Sequence, residues 1–127
     1  MKHISIPELK DILNKDDIGN VLVVDVRMPD EYSVSRIPGV VNMPLDEIVK
    51  HIDVLQQYDA VYVHCRSGGR SQVACANLEA WGLKNAVNVE GGIKEWERLG
   101  LEVIRDRPER TSSIASMLAK MPWNKKK

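Results

Sequence analysis

Cysteine is scarce in this chain of 127 residues, with Cys65 and Cys75 as the whole complement. Two thiols cannot supply the disulfide framework of a small secreted domain, and with His3, His51 and His64 scattered along the chain they make no zinc pattern. No metal or cofactor is expected. An excess of charge is also missing. Lys and Arg together number 18, and Asp and Glu together number 18. This balance excludes a general nucleic-acid or membrane-surface binder, while leaving room for a local basic patch. Long apolar runs are absent as well. No stretch approaches a membrane span, and the opening Met1-Lys2-His3-Ile4-Ser5 lacks the apolar run of a secretory signal. The expectation is a cytoplasmic protein with reduced thiols and no membrane partner. Repeats and low-complexity segments are absent before the last few residues.

What remains is an alternation of short apolar runs and helical patterns. Val21–Val26, Ala60–His64 and Ala86–Val89 are brief, nearly continuous runs rich in β-branched residues. Such runs suit strands buried on both faces, as in a parallel sheet. Between them, Ser5 precedes Glu8 by the spacing of a capping box, with Leu9, Ile12 and Leu13 on one face. Leu45, Ile48, Val49, Ile52 and Leu55 form a second helical stripe. Ala74, Leu78 and Trp81 form a third, and Ile93, Trp96 and Leu99 a fourth. The expected fold is α/β: an open, mainly parallel sheet of about five strands with helices on both faces. The expected boundaries are a domain over residues 1–104 and a charged linker with an amphipathic C-terminal helix over 105–127. Ile114, Met117, Leu118 and Met121 share one face of that helix, which is a candidate partner surface.

The chemistry concentrates in Cys65-Arg66-Ser67-Gly68-Gly69-Arg70-Ser71. This segment leaves a strand at its carboxyl end and enters a helix, which is where ligands sit in open parallel sheets. Gly68 and Gly69 allow successive N–H groups to converge on one point. Arg66 and Arg70 add fixed positive charge. Both effects lower a thiol pKa and attract anions. Cys65 is therefore the candidate nucleophile, provided that solvent can reach the sulfur. Cys75, between two alanines in mid-helix, is expected to pack. Asp25, Arg27 and Glu31 end a strand and begin a turn near the site, and an Arg27–Glu31 ion pair is expected to brace that turn. His64 neighbours Cys65 on a strand and so points to the opposite face, poorly placed as its base.

The order Asp25-Val26-Arg27 with Glu31-Tyr32, then Ile37-Pro38-Gly39-Val40-Val41-Asn42-Met43-Pro44, then Cys65–Ser71, then Gly91-Gly92-Ile93-Lys94-Glu95-Trp96 resembles the rhodanese-like family from about His3 to Ile104. The resemblance implies a sulfurtransferase in which Cys65 carries sulfur as a persulfide. The backbone of residues 66–70 would cradle that sulfur. Arg66 and Arg70 would hold a small anionic donor such as thiosulfate, with Arg70 the more important because it lies nearer the helix start. The acceptor would be cyanide, another thiol or a protein. The family commonly has Gly-His before Ile-Pro-Gly; Ser35-Arg36 stands here, so the bracing role of that histidine does not carry over. Two other readings remain open. One is a cysteine-dependent phosphatase of the same fold, although that pattern places five residues between cysteine and arginine and this chain places four. The other is a sulfur-relay or partner-binding module without free turnover.

Overall fold

The computed structural model describes residues 1–106. The expected linker beyond Asp106 and the helix of residues 111–121 lie outside the described residues. Seven strands and five helices follow in chain order: β1 (Lys2–Ile4), α1 (Ile6–Leu13), β2 (Val21–Asp25), α2 (Pro29–Val34), β3 (Ser35–Arg36), β4 (Val41–Asn42), a 3₁₀ turn (Ile48–His51) running into α3 (Ile52–Leu55), β5 (Ala60–His64), α4 (Gly69–Ala80), β6 (Ala86–Val89), α5 (Gly92–Arg98) and β7 (Ile104–Arg105).

Five strands form one sheet in the order β1-β6-β5-β2-β4, with every pairing parallel. Period-two alternation sends successive residues of β2 to opposite faces. Val24 enters a cluster with Val61, Val63, Ala74, Cys75 and Leu78, covered by α3 and α4. Val23 enters a second cluster with Ile6, Leu9, Val89, Ile93 and Trp96, covered by α1 and α5. Helices therefore cover both faces, as the apolar runs predict. Burial on both sides explains why those runs barely alternate.

The capping box forms as the spacing predicts. Ser5 Oγ accepts the Glu8 N–H at 3.3 Å, and the Ser5 N–H donates to Glu8 Oε1 at 2.9 Å. The stripe from Leu45 to Leu55, in contrast, does not make one helix. The chain tightens into the 3₁₀ turn, with Lys50 N–H donating to Glu47 O at 2.9 Å, before the single turn of α3. Ile48 and Leu55 are both fully buried by this route. Three β-branched residues, Ile48, Val49 and Ile52, give weak helical preference, so burial rather than period decides the path.

A second, two-stranded ribbon pairs β3 with β7 antiparallel, Ser35 facing Arg105 and Arg36 facing Ile104. Arg36 is only 3% exposed. Its Nη1 donates to the carbonyls of Tyr32 and Ser33 and to Asp106 Oδ1, and its guanidinium lies 5.1 Å from the Tyr32 ring centroid. Arg36 thus braces the loop after α2, and the folded contacts extend through Asp106. Among the described residues, no helix is long and apolar enough to cross a membrane.

Leu78 sits fully buried where α4 meets the sheet. Leu78→Ala is expected to lower the unfolding free energy by about 2–5 kcal/mol, and Ser5→Ala by about 1 kcal/mol, through loss of a packed side chain and of a cap. Urea unfolding of the two variants checks the ranking, which a larger loss for Ser5→Ala would reverse.

Candidate active site

Strand β5 ends at His64 and delivers Cys65 to the carboxyl edge of the sheet, between the neighbouring strands β2 and β6. The chain then turns through Arg66–Gly68 and starts α4 at Gly69. Gly68 has φ +121°, a value that a residue with a Cβ rarely adopts. The turn brings the Gly68 N–H to within 3.0 Å of Cys65 Sγ. Ser71, on the first turn of α4, completes the cradle. The Cys65 thiol donates to Ser71 Oγ at 3.6 Å, and that hydroxyl donates to the Gly68 carbonyl at 3.1 Å. When the thiol ionises, the hydroxyl is free to turn its proton toward the sulfur.

Burial raises the Cys65 pKa. The Ser71 hydroxyl and the N–H groups of Ser71, Gly68 and Ser67 lower it by more, so the thiol stands below the ordinary cysteine value. Oriented amides and a hydroxyl therefore stabilise the thiolate. These hydrogen bonds are the principal causes that lower it, and Arg70 is itself held by Glu31.

Helix α5 holds this cradle from behind. The Ile93 N–H donates to the Cys65 carbonyl and the Lys94 N–H to the Arg66 carbonyl, each at 2.9 Å. In a planar trans peptide, C=O and N–H point in opposite directions. Fixing the Arg66 carbonyl on α5 therefore turns the Ser67 N–H away from α5 and toward the sulfur side. The approach is so close that a Cβ at Gly92 would fall on the carbonyls of Cys65 and Arg66. Gly92 is thus required by the cysteine loop itself, in addition to its own backbone turn at φ +57°.

The charged residues near the loop pair differently from the expected scheme. Arg27 and Glu31 form no ion pair. Arg27 Nε and Nη2 instead chelate the buried Asp25 carboxylate at 2.7–3.0 Å, and Nη2 also donates to the Ser35 carbonyl at 2.6 Å. Two residues along an extended chain, the Asp25 carboxylate lies within easy reach of Arg27, and it also accepts the Arg27 N–H at 2.9 Å. Asn42 ties the same corner to β4 by donating to the carbonyls of Asp25 and Arg27, both at 2.9 Å. Glu31 belongs to Arg70: Nη1 and Nη2 donate to its two carboxylate oxygens at 2.7 and 2.9 Å. The Arg70 bond is the main cause that holds the Glu31 carboxyl down at about 2. A carboxyl depressed in the folded state stabilises it above the ordinary value and ceases to do so only as pH falls toward 2, so the clamp is intact at neutral pH.

His64 is fully buried. Its Nδ1 lies 3.0 Å from the Cys65 carbonyl and its Nε2 3.8 Å from Asp25 Oδ2. Burial first, and then Arg27, lower its pKa against the opposing effects of Asp25 and of the Cys65 carbonyl, which favours the neutral ring. Its contacts are with backbone and carboxylate, in keeping with the strand geometry. Cys75 packs in the core, and burial, followed by the charge of Glu79, pushes its thiol up to about 12.

A cleft of about 390 Å³ opens beside the loop. Arg66 and Ile93 form its wall on the loop side, Lys94 and Glu97 extend it along α5, and Asp30, Glu31 and Val34 of α2 face them. Arg66 is exposed and lines the cleft, whereas Arg70 is held by Glu31. Cys65 does not line the cleft and is 1% exposed, so the sulfur is covered, contrary to the open thiol that the sequence reading requires. Arg66, Ser67 and Gly69 of the turn around it are exposed. Lys94, which no spacing signal in the sequence marks, is the functional candidate that the fold adds.

A parallel α/β domain whose strand-to-helix turn directs amides at a cysteine defines a class of thiolate-bearing domains. Residues 5–99 match the Rhodanese-like domain, and the chain belongs to that family. The chain is 38% identical over 93 residues to YrkF of Bacillus subtilis (strain 168), described as a candidate sulfur carrier protein, covering 73% of this chain and 49% of YrkF. It is 36% identical over 88 residues to a protein of Allochromatium vinosum named sulfurtransferase, covering 69% of this chain and 82% of that protein. It thus spans about half the length of the first relative and most of the second. Among solved structures, a rhodanese-related protein from Thermoplasma volcanium superposes with a TM-score of 0.71 at 30% identity, covering 84% of this chain and all of that one.

The two thiols have opposite pKa shifts, Cys65 downward and Cys75 upward. Iodoacetamide near neutral pH is therefore expected to modify Cys65 and spare Cys75. Gly92→Ala, by displacing the carbonyls that aim the loop, is expected to move the pH midpoint of Cys65 alkylation upward. Peptide mapping across a pH series checks both, and preferential labelling of Cys75 would contradict the assignment.

Proposed function

We propose that this domain is a sulfurtransferase that carries sulfane sulfur on Cys65 as a persulfide, with thiosulfate as a competent donor. The observation that carries the reading is the Gly68 N–H at 3.0 Å from Sγ, with the Ser71 hydroxyl beside it. The same groups that favour a thiolate can hold the terminal sulfur of a persulfide. The family and the named relatives support transfer of sulfur in general.

Two displacements complete a cycle. The Cys65 thiolate attacks the outer sulfur of thiosulfate; the new S–S bond forms as the old one breaks, and sulfite leaves with the electron pair. A thiophilic acceptor such as cyanide then attacks the terminal sulfur. Thiocyanate departs and the thiolate is regenerated. No proton moves in either step, so no side-chain base is needed and His64 can remain structural. Because the resting turn covers the sulfur, transfer requires the Arg66–Gly69 turn to yield. Arg66, exposed on the cleft, is the better placed arginine for an anionic donor. Arg70, clamped by Glu31, anchors the turn to α2, which reverses the ranking drawn from helix proximity alone.

Four residues separate Cys65 from Arg70, one fewer than in the phosphatase pattern, and this shorter cradle supports sulfur transfer over phosphate hydrolysis. The relay reading is favoured by the likeness to YrkF, and it shares the persulfide with the enzymatic one. Incubation with thiosulfate is expected to add one sulfur, about 32 Da, to the Cys65 peptide and none to the Cys75 peptide. Cys65→Ser is expected to abolish thiosulfate:cyanide transfer while leaving the circular dichroism spectrum unchanged. Turnover retained by that variant, or Cys65-dependent hydrolysis of an aryl phosphate in its place, would overturn the proposal.

A further inference from the structure

Four cationic side chains surround the loop and its cleft: Arg27, Arg66, Arg70 and Lys94. Two are neutralised within the fold. Arg27 is chelated by Asp25, and Arg70 is held at both terminal nitrogens by Glu31. Among the described residues, Arg66 and Lys94 form no ion pair, and both line the cleft. The acids of the same cleft are more fully satisfied. Glu31 is taken by Arg70, and Glu97 bonds Arg105 at 3.1 Å. Asp30 is left against two cations, so the cleft mouth carries a positive surplus suited to an anion.

The two cations are fixed relative to each other by backbone. The Lys94 N–H is bonded to the Arg66 carbonyl at 2.9 Å, and the preceding Ile93 N–H to the Cys65 carbonyl at the same distance. Close approach at Gly92 leaves this junction no freedom to slide. Both side chains thus start from one rigid seam on the backbone of the cysteine loop, and donor held there meets the sulfur once the Arg66–Gly69 turn yields.

We propose that Lys94 acts with Arg66 as the pair that recognises the anionic end of the sulfur donor at the cleft mouth, making Lys94 a determinant of donor specificity outside the cysteine loop. This rests on the sulfurtransferase reading above. Lysine suits the role because its flexible ammonium follows a ligand that changes as sulfite forms and departs. Recognition takes place on exposed side chains, so it governs how much donor is bound and leaves the activated thiolate as it was.

The test uses the full chain, with thiosulfate as varied donor and cyanide fixed. Lys94→Met is expected to raise KM for thiosulfate about fivefold with kcat changed less than twofold, the size of an exposed charge contact. It is also expected to flatten the dependence of KM on ionic strength and to weaken competitive inhibition by sulfate by the same factor as KM. Lys94→Arg is expected to restore all three. Unchanged KM and sulfate inhibition in Lys94→Met would overturn the inference, as would an equal loss in kcat. If wild-type protein takes up no sulfur from thiosulfate at all, the sulfurtransferase reading fails. If wild type loads sulfur and Lys94→Met loads it equally fast at low thiosulfate, the assignment of Lys94 fails alone.

Discussion

The site depends on two backbone hydrogen bonds, from Ile93 and Lys94 to the carbonyls of Cys65 and Arg66. Peptide planarity makes each of them act at a distance: a carbonyl held on α5 forces the amide of the same peptide unit to face the other way. One of those amides, that of Ser67, is among the groups that lower the Cys65 pKa. Two segments separated by a strand and a helix, the cysteine loop and the paired glycines before α5, are thereby one physical unit. A side chain at Gly92 would press on the carbonyls and disturb the amides at once.

Much of the charge around the loop is taken up in fixed ion pairs. Asp25 and Arg27 satisfy each other inside the fold, with Asn42 closing the corner, and breaking such a buried pair costs more than the pair contributes to stability. Glu31 and Arg70 tie α2 to α4 across the mouth of the site. These pairs hold the walls in place. The thiol pKa is lowered chiefly by hydrogen bonds from loop amides and the Ser71 hydroxyl, whose strength is little affected by salt.

Much of this architecture is legible in the sequence, because the signals involved are local. β-branched runs buried on both faces, the Ser5–Glu8 capping box and the strand–cysteine–glycine–helix succession each occupy a few adjacent residues. The pairing of charges is not local. The Glu31–Arg70 clamp joins residues 39 apart, and nothing near Glu31 distinguishes Arg70 from Arg27 as its partner. The β3–β7 ribbon contributes two residues per strand, too few to show a period. Arg36 fails for a different reason. Its sequence position is conspicuous, but the role of a buried arginine depends on the carbonyls of Tyr32 and Ser33 and on Asp106, which only folding brings together. The covered state of Cys65 is a property of turn conformation, to which residue identity is blind.

The division of labour between backbone and side chains has a consequence for how such a site can change. The groups that stabilise the thiolate are main-chain N–H groups and one serine hydroxyl, and they persist through substitution of the residues that carry the amides, so long as the glycines remain. The groups that face the cleft are side chains, Arg66 and Lys94 on one wall and the α2 residues on the other. On the proposed reading, substitution there would alter which donor or acceptor is held without retuning the sulfur. Domains built this way can therefore share one cysteine cradle and differ in the side chains that line the cleft beside it.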